Sequence, residues 1–208
     1  MTAYYSLAAF LLAASLLTVT PGLDTAIVLR TAATSGPRPA WLASIGIGLG
    51  CLAWGIIVAA GLGTILAAST MAYTALQWIG ATYLLWQGTR LLVWPRAAFH
   101  PPSTPAARSG RDAFLRGFLT NMLNPKVGIF YVTFLPQFIP AGQPVAAYTV
   151  LLASIHVLLG VAWFGVLIAA TIPAGRLLRR PSVIKTLDRL TGGVLVMFGV
   201  KLAMSRQF

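Results

Sequence analysis

The chain has 208 residues, of which 58% are apolar and only 9% are charged, whereas a soluble domain carries roughly 25% charged residues. Its mean hydropathy is +0.82 and its formal net charge is +12. This composition excludes an ordinary soluble domain and predicts an all-α integral membrane protein.

Two long stretches without a charged side chain, 39–89 and 127–175, indicate how often the chain crosses the membrane. As a single helix, either stretch would reach about 75 Å, far more than the hydrocarbon core of about 30 Å. Each stretch is therefore expected to cross the bilayer and return. With the flanking apolar segments, the sequence predicts six transmembrane helices, near 4–30, 40–63, 73–94, 114–139, 145–172 and 187–204.

The first predicted span contains LTVTPGLDTAIVLR (17–30), in which a proline, a glycine and an aspartate interrupt an apolar helix. Thr20 is a favourable N-cap, and Pro21 suits the first position of a helix because the N–H it lacks would have no partner there. We therefore predict two half-helices, with the second beginning at Pro21 inside the membrane. The alternative is a proline kink that helix packing tolerates.

The second predicted span contains GIGLG (46–50) followed by Cys51. The glycines lack the strand-turn-helix context of a nucleotide-binding loop, so close helix packing is the better interpretation. Cys51 is the single cysteine and is expected to be a small buried side chain. One cysteine excludes an intrachain disulfide and a thiol-redox pair.

A segment rich in proline, serine and arginine, 95–112, divides the chain and is predicted to be a disordered cytoplasmic linker. It separates a first three-helix repeat, 1–94, from a second, 113–208. Because three is odd, the two repeats would enter the membrane from opposite sides and form an inverted repeat. Aligning FLLAASLLTVTP (10–21) with FLRGFLTNMLNP (114–125) places the prolines of the two repeats at the same position.

The fourth predicted span repeats the pattern of the first in NMLNPKVGIF (121–130). Asn124 precedes Pro125 as Thr20 precedes Pro21, so helices one and four are both predicted to be broken at their prolines. Broken helices at corresponding positions of two repeats are the best sequence indication of a transporter's central site.

Basic residues concentrate in alternate connections, which the positive-inside rule assigns to the cytoplasm. This predicts that both termini lie outside. The charge then reflects topology and contact with anionic membrane lipids, and no nucleic-acid partner is expected. Twelve of the 15 basic residues follow this pattern, namely Arg30, Arg38, Arg90, Arg96, Arg108, Arg111, Arg116, Arg176, Arg179, Arg180, Lys185 and Arg189.

Asp24 and Lys126 stand beside the two predicted breaks, well inside apolar spans. Intramembrane charges are costly and usually functional, and a half-helix N-terminus favours an anionic group. One interpretation is that Lys126 binds the carboxylate of a zwitterion and Asp24 its ammonium. The alternatives are an Asp24–Lys126 ion pair and stabilisation of the helix start by Asp24. The predicted substrate-binding residues are Thr20, Pro21, Gly22, Asp24, Asn121, Asn124, Pro125 and Lys126.

Several other polar side chains within the spans have two open interpretations. Asn121, Gln77 and Gln137 either line a cavity or form hydrogen bonds between helices. His156 is either a proton relay or a core histidine, and Asp24 is the second candidate for proton exchange.

The broken segments belong to longer stretches that resemble the LysE/RhtB-type amino-acid exporters, the type that exports homoserine, threonine and neutral amino acids. The resemblance covers nearly the whole chain, although Leu23 stands where the family usually has a second proline. The similar stretches are TPGLDTAIVL (20–29), GIGLG (46–50), GATYLLWQGTRLL (80–92), GFLTNMLNPKVGIFYVTFLPQF (117–138) and LDRLTGGVLVMFGVKLA (187–203).

This resemblance implies a secondary transporter that exports small, neutral amino acids across the bacterial inner membrane in exchange for protons. It implies no cofactor and leaves a homo-oligomer open. Two other functions compete with it. An exporter of metal cations or another small solute would be expected to have more intramembrane acids or His-rich loops, and a membrane-embedded redox enzyme would need a second cysteine.

Overall fold

The computed structural model describes residues 3–68, 70–96, 107, 109–170 and 180–204. Within these ranges the side chains of some helical residues, including Pro125 and Lys126, lie outside the described residues. The described part of the chain forms eight α-helices and no strand, as the composition predicts. The helices are α1 (Ala3–Val19), α2 (Leu23–Ser35), α3 (Pro37–Ala68), α4 (Thr70–Val93), α5 (Gly110–Met122), α6 (Pro125–Ile129), α7 (Val145–Ala169) and α8 (Pro181–Met204).

The first predicted span is broken, as its proline requires. α1 ends at Val19, α2 begins at Leu23, and the two axes are bent by 51°. The prediction of the cap was wrong, because Gly22 rather than Thr20 is the N-cap and Pro21 lies before the helix. Gly22 is extended, with φ −141° and ψ −164°, so Pro21 and Gly22 together leave the helical conformation before it resumes.

The second break follows the prediction closely. α5 ends at Met122, and α6 begins with Pro125 at its first position. The backbone carbonyl of Asn124 accepts hydrogen bonds from the N–H groups of Val127 and Gly128, at 3.0 and 3.1 Å. α6 continues into a π-helical turn, Phe130–Phe134, and a 3₁₀ turn, Leu135–Phe138.

Two of the described helices, α3 and α7, are long and apolar enough to cross a membrane, and the bent α1–α2 pair is a third such segment if its two helices are counted as one span. Among the boundaries that differ from the sequence prediction, two involve acidic residues. α5 begins at Gly110, inside the predicted linker, because Ser109 accepts a hydrogen bond from the N–H of Asp112 and caps the helix. α8 begins at Pro181, so Asp188 lies within this helix instead of at its start.

Small residues allow the helices to cross closely, as predicted for GIGLG. A Cβ atom on Gly46 would collide with the backbone carbonyl of Phe114, and one on Gly117 with that of Ala43, so α3 and α5 are in backbone contact. α4 and α8 meet in the same way. A Cβ atom on Gly88 would lie 2.8 Å from the carbonyl oxygen of Gly192, and one on Gly192 2.7 Å from that of Gly88.

The α4–α8 crossing gives a prediction for stability. Gly192→Ala is expected to lower the free energy of unfolding by about 1–3 kcal/mol, because the two helix backbones would have to separate. Gly193→Ala is the matched control. Its Cβ would meet nothing within 4 Å, so it should leave stability unchanged or improve it through helix propensity. The melting temperatures of the Gly192→Ala and Gly193→Ala variants are measured by thermal unfolding in detergent. Equal melting temperatures would contradict the close crossing of α4 and α8.

Candidate functional site

Both helix breaks line one cavity of about 90 Å³, which lies between α2, α3 and α7. The first break and the start of α2 form one wall, and the second break forms another. α3 and α7 close the remaining sides. The lining residues include Thr20, Gly22, Leu23 and Asp24 from the first break, Asn124 and Val127 from the second, Ser44, Gly48 and Cys51 from α3, and His156, Gly160 and Phe164 from α7.

Asp24 lies in the first turn of α2 and faces this cavity. The first intrahelical hydrogen bond of α2 runs from the N–H of Ala26 to the carbonyl of Gly22, at 3.0 Å. The backbone N–H groups that precede Ala26 in the first turn therefore have no intrahelical acceptor. They place the positive end of the helix dipole beside the Asp24 carboxylate.

Asn121 connects the two breaks. It lies in the last turn of α5, is fully buried, and its Nδ2 donates to Asp24 Oδ2 at 2.9 Å. The same Nδ2 lies 3.4 Å from Cys51 Sγ on α3. A Cβ atom on Gly50 would lie 2.6 Å from Asn121 Oδ1, so the glycine is required for the amide to fit. The predicted residue Asn121 is thus both a link between helices and a direct partner of the candidate carboxylate.

His156 contributes to the α7 wall of the cavity. Its Nδ1 lies 2.9 Å from the hydroxyl of Tyr131, which belongs to the π-helical turn and is fully buried. The ring of Phe130 packs against the imidazole, with centroids 5.2 Å apart. His156 therefore has a hydrogen-bonded buried partner and a surface on the cavity, which fits a core histidine and a proton relay alike.

The other predicted residues are distributed as follows. Thr20 is buried on the cavity wall, with its Oγ1 2.8 Å from the carbonyl of Leu16 and 2.5 Å from Thr191 Oγ1. Asn124 is buried at the second break. The side chains of Pro125 and Lys126 lie outside the described residues. Gln77 donates to the carbonyl of Leu202 at 2.7 Å and so joins α4 to α8. Gln137, in the 3₁₀ turn, donates to the backbone carbonyl of Thr133 in the preceding π-helical turn at 3.1 Å.

An ion pair that was not predicted from the sequence lies beside the first break. Asp188 on α8 is fully buried and pairs with Arg96, with Nη2 to Oδ1 at 2.6 Å. Arg96 Nη1 also donates to the carbonyl of Pro21 at 2.8 Å. The sequence does contain one indication of this pair, because the chain has only three acidic residues, so each buried one needs a partner. Besides Asp24 and Asp188, the remaining acidic residue is Asp112, which pairs with Arg116 one turn later on α5.

The described residues contain no group of three His, Cys, Asp or Glu side chains that could hold a metal ion. The cavity instead combines one carboxylate, a helix N-terminus, hydroxyl groups and apolar side chains. A small polar solute with separated charges fits such a lining.

The family model described as LysE type translocator matches residues 15–206, which is nearly the whole chain. The chain belongs to the LysE type translocator family. The resemblance noted in the sequence is thereby confirmed at family level, and the chain is a membrane translocator and not an enzyme.

Named relatives of this LysE type translocator extend over almost its full length. It is 30% identical to the Bacillus subtilis "Uncharacterized membrane protein YrhP", over 97% of this chain and 100% of that protein. It is 30% identical to a homoserine/homoserine lactone efflux protein of Salmonella typhimurium, over 95% and 96%. It is 31% identical to a threonine efflux protein of Salmonella typhi, over 90% and 92%. No solved structure matches the chain.

Proposed function

We propose that this LysE type translocator exports small, neutral amino acids across the bacterial inner membrane in exchange for protons. The observation that carries the proposal is the convergence of both helix breaks on one cavity that contains Asp24. Relatives named for the efflux of homoserine and threonine support this class of substrate.

The cavity suits an amino acid in zwitterionic form. Asp24 is the one carboxylate on its described wall, which allows one ammonium group and favours neutral substrates over lysine or arginine. The N-terminus of α2 and Lys126 are proposed to attract the substrate carboxylate. The hydroxyl groups of Thr25 and Ser44 would suit a short hydroxylated side chain, and Val157 and Phe164 are among the apolar residues of the wall.

The proposed topology is six spans in two inverted three-helix repeats, 1–94 and 113–208, with the linker 95–112 in the cytoplasm and both termini outside. The equivalent positions of the two breaks, at Pro21 and Pro125, support the inverted arrangement. Alternating access would then expose the cavity to each side in turn as one repeat moves against the other.

Proton exchange is proposed to use Asp24, His156 or both. Asp24 accepts a hydrogen bond from the Asn121 amide, and His156 is hydrogen-bonded to the Tyr131 hydroxyl, and both side chains line the cavity. A carboxylate or imidazole in such a position can take up a proton when the substrate leaves.

An efflux screen across the twenty standard amino acids and homoserine tests this proposal. Cells that express the protein are loaded with each amino acid in turn, and its loss is compared with that from cells carrying the empty vector. We expect accelerated loss of short neutral amino acids, with threonine and homoserine among them, and no acceleration for lysine or arginine. Faster loss of basic amino acids alone would contradict the proposed substrate class.

A further inference from the structure

Arg96 lies three residues after the end of α4, between α8 and the break of the first span. Its backbone N–H and its Nε donate to Asp188 Oδ2, at 2.9 and 3.0 Å, and its Nη2 donates to Oδ1 at 2.6 Å. The remaining guanidinium nitrogen, Nη1, donates to the Pro21 carbonyl at 2.8 Å. One side chain thus binds a buried carboxylate and the backbone of the break together.

The Pro21 carbonyl needs such a donor because it belongs to neither half-helix. α1 ends at Val19, and the first hydrogen bond of α2 is accepted by Gly22. A cation at this position also complements the negative end of the α1 dipole. A planar guanidinium can make all of these contacts, since two of its nitrogens bind both oxygens of the Asp188 carboxylate while the third donates to the Pro21 carbonyl.

Thr191 adds a second contact from the same face of α8, three residues after Asp188. Its hydroxyl lies 2.5 Å from that of Thr20 on the cavity wall. Two consecutive residues of the break, Thr20 and Pro21, are therefore held from α8, one directly and one through Arg96. Asp24 follows only three residues after Pro21.

We propose that Arg96, held by Asp188, is a positioning residue for the substrate site. It fixes the break at Pro21 and thereby directs the start of α2 and the Asp24 carboxylate toward the cavity. The inference rests on the proposed function, because it takes this cavity as the site where the substrate binds. Arg96 itself is not among the described residues that line the cavity.

Two variants distinguish a role of Arg96 in positioning the substrate site from a role only in stabilising the fold through its ion pair with Asp188. Arg96→Lys keeps a positive charge beside Asp188, but a single ammonium group cannot reproduce the fork and reach the Pro21 carbonyl as well. The double variant Arg96→Gln/Asp188→Asn removes both charges and so leaves no buried charge without a partner. Arg90→Lys is the matched control, because Arg90 lies in the last turn of α4, close to Arg96 in the chain, and its guanidinium lies over the Trp86 ring.

Export kinetics give the first measurement. We expect Arg96→Lys and the double variant to reach the membrane and to raise the half-saturation concentration about tenfold, with the maximal rate per molecule nearly unchanged. Arg90→Lys should match the wild type. A structural role alone would lower the amount of protein without changing half-saturation, and that result would overturn the proposal.

Thiol labelling gives a second measurement that needs no substrate. Leu23→Cys, in a Cys51→Ser background, places one thiol at the start of α2, where Leu23 is 49% exposed. The labelling rate should rise several-fold when Arg96→Lys is added. An unchanged rate would contradict the proposal even if none of the tested amino acids were exported. Export by Asp24→Asn at the wild-type rate would instead contradict the proposed site and leave the labelling result valid.

Discussion

Asp24→Asn is expected to abolish export while the protein still folds and inserts. Asparagine has nearly the same shape, and its carbonyl oxygen can still accept the hydrogen bond from Asn121 Nδ2. The substrate ammonium, however, would lose its charged partner in a desolvated site. Such a loss costs about 2–5 kcal/mol, so export at limiting substrate should fall by at least about thirtyfold. Efflux from loaded cells, normalised to protein in the membrane, measures the change.

Asp112→Asn provides a matched control for this substitution. Asp112 forms a partly exposed pair with Arg116 on α5, at 2.8 Å, and such a pair contributes less than about 1 kcal/mol. Export by this variant should equal that of the wild type. Equal export by the Asp24 and Asp112 variants would contradict the assignment of Asp24 to the site.

The double variant Asp24→Asn/Lys126→Met tests the alternative that the two charges only neutralise each other. If they form a simple ion pair, removing both should restore export that each single substitution impairs, because no unpaired buried charge remains. We predict the opposite result. Both single variants and the double variant should stay inactive, because each charge is proposed to bind one end of the substrate.

Gly160→Leu is expected to block export by filling the cavity. Gly160 lies on its α7 wall, and a Cβ atom there would meet nothing within 4 Å, so the side chain would extend into open space. Its four carbon atoms would occupy much of the cavity of about 90 Å³. Export should fall at least about tenfold, whereas the melting temperature should stay the same or rise because a void is filled.

Gly160→Ala is the control for this substitution. It adds a single methyl group at the same position and should retain most of the export. If Gly160→Leu exported as fast as Gly160→Ala, the substrate would not pass through this cavity, and the site would have to lie elsewhere.

The two helix breaks were predictable because their causes are local. Pro21 and Pro125 lack a backbone N–H wherever they stand, so the helical hydrogen bonds must be interrupted there. The N-cap of α2 was less predictable. Thr20 is a good cap by residue type, but its hydroxyl is drawn to Thr191 on a distant helix, and the flexible Gly22 takes the cap position.

The composition of the cavity wall could be predicted only in part. Asn121 and His156 were chosen because polar side chains are rare in apolar spans. Cys51 and Tyr131 were not assigned to the site, since their contacts with Asn121 and His156 depend on how whole helices are rotated against each other. The pairing of Arg96 with Asp188 joins residues 92 positions apart, and no local pattern indicates it.

We propose that this protein moves a neutral amino acid through the cavity between the two breaks in exchange for protons. Purified protein in liposomes loaded with radiolabelled threonine or homoserine tests it most directly, with Asp24→Asn liposomes in parallel. We predict release that accelerates when the outside is acidified, and no acceleration with Asp24→Asn. Release that is independent of the proton gradient, or equal in both preparations, would contradict proton-coupled export through this site.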